Sequence, residues 1–338
     1  MNAAAKEFDG INKYIRITDI DENTSTYSKQ DVVSPSGVLE DKYLVRENDI
    51  LFARTGASVG KTYHYDKTDG KLYYAGFLIR GGVLPCFNSK FIFYQTQLSR
   101  YKKWVTIMSA RSGQPGINSQ EYECFKLFIP TRTEQDKIAT FIELLDKRIA
   151  VQSKLIEQLE SLIKGIIHHL TAESPNVRIA DCLDCHSSTL QENQLKELGK
   201  YRVYGANGVC GYTDSPAING NAILIVKDGS GVGTVSFATG EYSVIGTSNY
   251  LTAKSGYNLR YIYYCLMNFN FAPYKTGMAI PHIYFKDYGK AKIYCPALEE
   301  QERIANVLSK IERKMVIERS IANHYIEQKQ NLLQQMFI

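Results

Sequence analysis

Two long stretches of the chain carry apolar residues at alternating intervals of four and three positions. The first seam consists of Ile138, Ile142, Leu145, Ile149, Gln152, Ile156, Leu159, Ile163, Ile166 and Leu170. The second consists of Ile304, Leu308, Ile311, Met315, Glu318, Ala322, Tyr325, Lys329, Leu332 and Met336. Apolar residues that recur in this way form the contact stripe of a coiled coil. The pattern therefore predicts two long helices that pair with each other, and Thr131 with Glu134 marks the start of the first.

Polar residues interrupt both seams. Gln152 and Glu318 stand at equivalent positions, and Lys329 adds a further polar position in the second helix. Two interpretations stay open for such a residue: it fixes the register of the pair, or its side chain reaches out to water. The long segment between the helices permits an antiparallel pair, which we expect to set Ile138 opposite Met336.

The remaining pattern is duplicated along the chain. Residues 112–170 recur without a gap as residues 278–336, and the strand-plus-glycine run at residues 50–60 recurs at residues 223–233. The matching positions include Pro115/Pro281, Ile117/Ile283, Tyr122/Tyr288, Pro130/Pro296, Glu134/Glu300 and Gln135/Gln301. Repeats of this length are whole domains, because the units of a solenoid run ~20–50 residues. Two like domains in one chain predict a pseudo-twofold arrangement.

Short periodicities predict the elements of each domain. In the first domain, strands are expected at residues 14–17, 49–53 and 125–129, and a helix at 91–101. In the second domain, strands are expected at residues 201–204, 222–226, 242–245 and 292–294, and a helix at 259–267. The predicted fold class is α+β: two strand-rich domains separated by two long helices that form an antiparallel coiled coil. The expected boundaries are 1–130 and 171–296 for the domains, and 131–170 and 297–338 for the helices.

Composition narrows the class of protein only slightly. The 338 residues have a net charge of +5, which permits a nucleic-acid partner without requiring one. Seven scattered cysteines fit a reducing cytoplasm. Neither a signal peptide nor a run of ~18 apolar residues is visible, so we expect a cytoplasmic protein without membrane contact.

Motifs that resemble catalytic or cofactor sites fail on spacing or context. Residues 56–62 have three residues between the glycines where a phosphate-binding loop needs four, and the copy at 229–234 has no lysine. Residues 182–186 match the haem-attachment motif CxxCH, but haem attachment of this kind belongs to exported proteins. The same residues do not predict a zinc site either, because no second pair of ligands is found at a suitable spacing. No acid, base, metal or cofactor set is found, and the glycine runs are interpreted as tight turns, either purely structural or placed against a DNA phosphate.

Cationic and amide side chains near these turns are the candidates for DNA contact, because phosphates attract cations and base edges require hydrogen-bonding groups. They are Arg54, Lys61, Lys102, Lys103, Arg111 and Gln114 in the first domain, and Lys227, Lys254, Lys275, His282 and Lys286 in the second. For each one taken singly, an ordinary solvated surface residue is the alternative.

The duplicated order of these motifs resembles the specificity subunit of type I restriction-modification systems. The resemblance covers nearly the whole chain and is carried by the paired glycine loops, the stretches 114–118, 204–208 and 280–283, and the Pro-x3-Glu-Gln helix starts at Pro130 and Pro296. It implies a non-catalytic, DNA-binding subunit for host defence. Each strand-rich domain would be a target recognition domain that reads half of a bipartite target, and the coiled coil would set the spacing.

The resemblance also implies the partners: double-stranded DNA, two modification subunits that methylate adenine, and a restriction subunit. S-adenosylmethionine, ATP and Mg would belong to those subunits, and no cofactor is expected here. The first domain has no counterpart of the candidate strand at residues 177–182, so it is expected to be truncated at its N-terminus. A truncated or silent specificity cassette without recognition activity of its own is therefore the alternative function.

Overall fold

The computed structural model describes residues 1–22, 24–171 and 173–337. It divides the chain into two compact units, of which unit 1 comprises Met1–Val151 and Ile321–Ile338 and unit 2 comprises Gln152–Ser320. Each unit thus combines one strand-rich region with one stretch of each long helix.

The strands of unit 1 are short because turns interrupt its runs of β-branched and aromatic residues. They are β1 (Ala5–Glu7), β2 (Lys13–Ile15), β3 (Val33–Pro35), β4 (Asp49–Ala53), β5 (Thr62–His64), β6 (Leu72–Tyr74) and β7 (Leu78–Gly82). They form one three-stranded sheet in the order β5-β4-β7, and two pairs, β1-β3 and β2-β6. Strand β4 is central, and its Leu51 and Ala53 are fully buried in a core with Tyr63 of β5.

The short helices described in unit 1 are α1 (Ser89–Gln95), α2 (Ser99–Met108) and α3 (Ser119–Glu123). Two of the three, α1 and α3, begin where a polar side chain accepts a backbone hydrogen bond. Asn88 and Asn118 supply these caps, by accepting from the backbone N–H groups of Phe91 and Glu121. The single helix expected at residues 91–101 is therefore two helices, since Thr96 already closes α1 by bonding the carbonyl of Phe93.

Unit 2 repeats this plan with additional strands. They are β8 (Val177–Arg178), β9 (Leu183–Ser187), β10 (Tyr201–Gly205), β11 (Gly208–Thr213), β12 (Ile218–Asn219), β13 (Ala222–Val226), β14 (Val235–Ala238), β15 (Glu241–Val244), β16 (Ser248–Ala253) and β17 (Lys292–Ile293). They form the sheets β11-β10-β15-β12 and β14-β13-β16-β9 and the pair β8-β17. The short helices are α5 (Ile179–Cys182), α6 (Leu259–Met267) and α7 (Phe285–Tyr288). All five residues of β13 are buried, which explains its unbroken apolar sequence.

The two long helices are α4 (Arg132–Thr171) and α8 (Leu298–Met336), close to the predicted bounds. In unit 1, the start of α4 packs against the end of α8: Ile142 and Leu333 share a core, with Ile138 and Met336 packed beside it. In unit 2, the end of α4 packs with the start of α8, through Ile163 and Leu308. Within each unit the helices therefore run antiparallel, as predicted, and no predicted seam residue is exposed.

Each polar residue of the seams has a partner on the other long helix. In unit 2, the Gln152 side-chain nitrogen donates to the main-chain carbonyl of Glu318 at 3.2 Å and to its carboxylate. In unit 1, the Lys329 ammonium lies 2.5 Å from the Asp146 carboxylate. Both contacts favour the register-setting interpretation over side chains that only reach into water.

One predicted strand is absent. Residues 125–129 have no strand assignment in unit 1, whereas the equivalent residues 291–295 in unit 2 include β17. The physical reason is pairing, because β17 is a strand through its ladder with β8 and residues 125–129 have no such partner among the described residues.

Candidate nucleic-acid interface

A tight glycine turn follows the central strand of unit 1. Gly56 and Gly60 have φ values of 75° and 85°, which side-chain-bearing residues rarely adopt. A Cβ on Gly60 would also lie 2.5 Å from Val105 of α2. The turn is therefore packed closely against α2, and the Tyr101 hydroxyl donates to the Gly60 carbonyl at 3.1 Å.

A second loop lies directly on this turn. The Gly56 amide donates to the Pro115 carbonyl at 3.0 Å, and the Ile117 amide donates to the Arg54 carbonyl at 2.9 Å. The two sequence motifs recognised separately, the glycine turn and the Gln-Pro-Gly loop, are thus one surface. The side chain of Gln114 reaches the turn, and its amide nitrogen would lie 3.3 Å from a Cβ placed on Gly56.

Unit 2 contains the same arrangement. The Gly229 amide donates to the Pro281 carbonyl at 3.0 Å, and the Ile283 amide donates to the Lys227 carbonyl at 2.9 Å. Nδ1 of His282 lies 2.7 Å from the Asp228 carboxylate. This contact fixes the imidazole and leaves Nε2 without a hydrogen bond to the residues that the structure describes.

The candidate residues of unit 1 surround these paired loops. Arg54 follows β4, Lys61 closes the glycine turn, and Arg111 and Gln114 lie on the second loop. Lys102 and Lys103 lie on α2, which packs against the turn, and both are exposed. Arg54 is exposed as well, and within the described ranges its guanidinium has no hydrogen bond or ion pair.

Arg111 is held in place by a carboxylate that the sequence did not indicate. Its guanidinium donates to both oxygens of Glu121, at 2.6 and 2.7 Å, and to the Gly116 carbonyl at 3.1 Å. The pKa of Glu121 lies below its usual value, first because the Asn118 amide bonds the carboxylate and then because of Arg111. Arg111 therefore fixes the shape of the loop, which is a different role from that of the free Arg54.

In unit 2 the structure brings together four of the five candidates. Lys227 and His282 lie on the two joined loops, Lys275 precedes the Thr276–His282 bridge, and Lys286 lies on α7 just after it. Lys254 is placed elsewhere. Its ammonium donates to the Ala180 carbonyl at 2.7 Å, so it is engaged in holding α5.

Apolar side chains on the second loop of unit 2 were missed in the sequence. Met278 is fully exposed, and Ile280 and Tyr284 are 59% and 49% exposed. The equivalent positions in unit 1 are Ser112, Gln114 and Asn118, which are polar. Comparison of the two repeats position by position would have revealed this difference, and it gives the two surfaces different chemistry.

The motifs rejected in the sequence have structural roles. Cys182 and Leu183 of the haem-like string are buried, and His186 bonds Thr252 at 3.0 Å and stacks on Tyr250. Among the described residues, no group of His, Cys, Asp and Glu is arranged to hold a metal ion. Within that same part of the chain, no helix has the length and hydropathy needed to cross a bilayer.

Comparisons with known proteins agree with this architecture. The family model described as "Type I restriction modification DNA specificity domain" matches residues 1–161 and again 175–327. The specificity subunit of the type I restriction enzyme EcoprrI from Escherichia coli is 24% identical over an aligned length of 350 residues. The match covers 91% of this chain and 82% of the relative. A putative type I specificity subunit from Haemophilus influenzae is 26% identical over 120 residues, 35% of this chain and 31% of its own length.

Solved structures share the fold. The S subunit of the type I system from M. genitalium has a TM-score of 0.69 at 16% identity, and the match covers 100% of this chain and 93% of that one. A chain from a study of complex assembly in a type I system has a TM-score of 0.56 at 16% identity, with 96% and 90% coverage. The α+β fold class predicted from the sequence is confirmed. Because the family model matches both halves, this chain belongs to the family of type I restriction-modification DNA specificity subunits, which are non-catalytic.

Proposed function

We propose that each unit reads one half of a split DNA target through its pair of joined loops. The observation that carries this proposal is that both units join their two loops in the same way. In each unit a backbone amide of the glycine turn donates to a proline carbonyl of the second loop at 3.0 Å. Family membership makes the chain a DNA sequence-recognition subunit; the division into two half-sites is the proposal. The expected domains, 1–130 and 171–296, would be the two target recognition domains.

Charge supports DNA as the ligand of these surfaces. Arg54 and the lysines of α2 provide cations beside a turn whose backbone lies at the surface. Such groups bind phosphates and position a reading loop, while side chains such as Gln114 can pair with base edges. Phosphate contacts of this kind release counterions, so binding is expected to weaken as salt rises.

The two surfaces would read different sequences. The loop of unit 1 offers the amide of Gln114, and the loop of unit 2 offers Met278 and Ile280 with the fixed imidazole of His282. Amides favour adenine edges, whereas apolar groups favour thymine methyl groups. An asymmetric bipartite target is the expected result.

The long helices would set the spacing between the half-sites. α4 and α8 have 40 and 39 residues, and each continues from one unit into the other. A helix rises ~1.5 Å per residue, so each spans roughly 60 Å, more than one ~34 Å turn of DNA. A stiff connector of this length fits a target with an unread gap.

The partners follow from the family. We propose that the chain assembles with two modification subunits and, in the full complex, a restriction subunit. The names of two similar proteins support assembly in general, since one is the specificity subunit of a type I restriction enzyme and the other comes from a study of complex assembly in a type I system. S-adenosylmethionine, ATP and Mg would serve those subunits. A cytoplasmic location stays a prediction.

Methylome sequencing tests the proposal. The chain would be expressed with its modification subunits in a host that lacks other adenine methyltransferases, and methylated adenines would be mapped. We expect one split motif, methylated on both strands, that disappears when this chain is omitted. A stable complex without any methylated motif would instead support the silent-cassette alternative, and a continuous motif would contradict the bipartite proposal.

A further inference from the structure

A β-hairpin in unit 2 has no equivalent in the described part of unit 1. Strands β10 and β11 pair antiparallel, and the two residues Ala206 and Asn207 join them. The hairpin is built on a parallel pair that both units contain, β10 with β15 in unit 2 and β2 with β6 in unit 1. Within the described residues of unit 1, no third strand extends that pair. The stretch 204–208, which carries part of the sequence resemblance, forms the tip of this additional hairpin.

The base of the hairpin is packed firmly on the core of unit 2. Val203 is fully buried, and the ring of Tyr204 meets the ring of Tyr242 edge-on, with 5.6 Å between the ring centres. A Cβ placed on Gly205 would lie 3.0 Å from the side chain of Ile245. The turn that follows is therefore held in a defined position.

The tip of the hairpin lies against the glycine turn of the joined loops. A Cβ placed on Gly231 would lie 3.6 Å from the Cβ of Ala206, which is van der Waals contact. Gly229 of the same turn bonds the Pro281 carbonyl. The hairpin tip, the glycine turn and the second loop are therefore neighbouring parts of one surface. Asn207 is exposed beside this contact, and its side chain bonds no residue that the structure describes.

The chemistry of the tip suits a base edge better than a phosphate. Residues 203–213 contain no Lys, Arg or His, so they lack the cations that phosphates attract. Ala206 and Gly208 flank Asn207, and their small size allows the backbone to approach another surface closely. An asparagine amide offers a donor and an acceptor, which together match N7 and N6 of adenine in the major groove. A two-stranded β-ribbon is also narrow enough to enter that groove.

We propose that the hairpin tip enters the major groove of the half-site read by unit 2, and that Asn207 pairs with an adenine there. This inference rests on the proposed reading of one half-site by each unit, and it adds a specificity-determining residue outside the joined loops. Lys227 on the neighbouring loop supplies the charge for a phosphate contact, which the tip itself does not carry.

Methylation of DNA libraries by the complex of this chain with its modification subunits tests the assignment. Each half-site is randomised in turn. Asn207→Ala should lower the preference for adenine about tenfold at one position of one half-site and leave the other positions unchanged. Asn207→Asp has nearly the same size but no donor, so it should shift the preference at that position from adenine toward cytosine, whose amino group a carboxylate accepts.

An adenine analogue tests the contact without relying on the folding of a variant. A duplex with 7-deazaadenine at the identified position lacks the N7 acceptor. The parent complex should bind this duplex about three- to tenfold more weakly than the unmodified one, because one hydrogen bond is lost. The complex with Asn207→Ala should bind both duplexes within about twofold of each other, because it has no amide to lose its partner.

Asn219→Ala is the matched control. Asn219 is also an exposed asparagine, and it lies on β12 of the same sheet. It pairs with Glu241 at one end of β15, whereas Tyr204 beside the hairpin tip pairs with Val244 at the other end. This variant should keep every base preference of the parent.

The outcomes separate this inference from the proposed function. A parent complex that methylates a split motif, with unchanged base preferences in Asn207→Ala, would overturn the assignment of the hairpin and leave the proposed function intact. Weaker binding of all sequences by Asn207→Ala, without a change in preference, would assign the residue to the DNA backbone and would also overturn it. A parent complex without a split motif would contradict the proposed function, and this inference with it.

Discussion

A histidine stands in unit 1 where unit 2 has a phenylalanine. His64 faces Ile50 across the β4–β5 ladder, as Phe237 faces Ile223 in unit 2. Its Nε2 lies 2.9 Å from the Ser89 hydroxyl, which bonds Asn48. Burial, and then the charge of Lys90, lowers the pKa of His64 from 6.5 to about 4. The ring is therefore neutral in the folded protein at pH 7.

This residue makes the stability of unit 1 depend on pH. The unfolded chain binds a proton near pH 6.5, whereas folded His64 binds one only near pH 4. The stability contribution is therefore complete above pH 6.5 and is lost as pH falls toward 4, by at most about 3 kcal/mol. Calorimetric unfolding between pH 7.5 and 4.5 measures the effect.

His64→Phe is the matched variant, because unit 2 already accommodates that side chain at the equivalent position. We expect its unfolding temperature to fall less between pH 6.5 and 4.5 than that of the parent. Carboxyl groups titrate equally in both proteins, so the difference belongs to the imidazole. Identical pH profiles would show that His64 does not carry the effect.

Arg54 is the cation of the joined loops best placed to contact a phosphate. Because its guanidinium has no bond to the described part of the chain, removing it should leave the fold intact. Arg54→Ala should weaken DNA binding about equally for all sequences and lower the slope of log K against log salt by about 1. Fluorescence anisotropy with a labelled duplex at several salt concentrations measures both.

The control for Arg54 is Arg313→Ala, an exposed arginine on α8 whose guanidinium, among the described residues, bonds only the Ser309 carbonyl of its own helix. It should bind DNA like the parent at each salt concentration. Arg111→Ala should behave differently from both, since it releases Glu121 and alters the loop. A uniform loss in all three variants would point to net charge rather than to a site.

Residue-scale prediction from sequence succeeded where backbone geometry leaves few choices. The glycine turns could be recognised because positive φ values at Gly56 and Gly229 require this residue type. The carboxylates of Glu121 and Asp228 could not be recognised. Each is paired with a residue 10 or 54 positions away, and no local pattern records such a contact.

At the scale of elements, the long helices were the easiest to predict. Seven-residue periodicity is a local property, and α4 and α8 begin within two residues of their expected starts. The strand expected at residues 125–129 was wrong for the opposite reason. A strand exists only with its partner, and the sequence of one segment does not reveal whether a partner is present.

The polar pair in the seam should contribute to register. Gln152→Leu would leave the Glu318 carboxylate without its donor, so we expect helix amides on either side of residue 152 to exchange up to about tenfold faster. Replacing both residues by leucine should restore or exceed the parental protection, because an apolar pair then fills the seam. Native-state hydrogen exchange measures these changes.

Ser153→Ala is the control, because Ser153 is exposed next to the pair. It should leave exchange unchanged. Equal protection in Gln152→Leu and the parent would mean that the observed bonds do not stabilise the helices. A double variant that forms more than one oligomer would support the role of the pair in register.

At the scale of the whole molecule, the duplicated order of the sequence motifs predicted more about the protein than any single motif did. No motif alone distinguished a phosphate loop from a structural turn, but its second copy without a lysine excluded the nucleotide-binding interpretation. The sequence does not predict which DNA bases are recognised. Base recognition depends on how side chains such as Gln114 and Met278 are oriented toward a groove of the DNA.

Independent reading by the two units leads to a quantitative expectation. Gln114→Ala should relax base preference in one half of the target, and Met278→Ala in the other, each by about 1–3 kcal/mol. Because the two residues lie in different units, the double variant should show the sum of the two effects within about 0.5 kcal/mol. Methylation of DNA libraries randomised in one half-site at a time measures both preferences, with Gln158→Ala, at an exposed position on α4, as the control.

If both variants relaxed the same half, or if the double variant deviated strongly from additivity, the two loops would form one reading surface and the assignment of one half-site to each unit would be wrong.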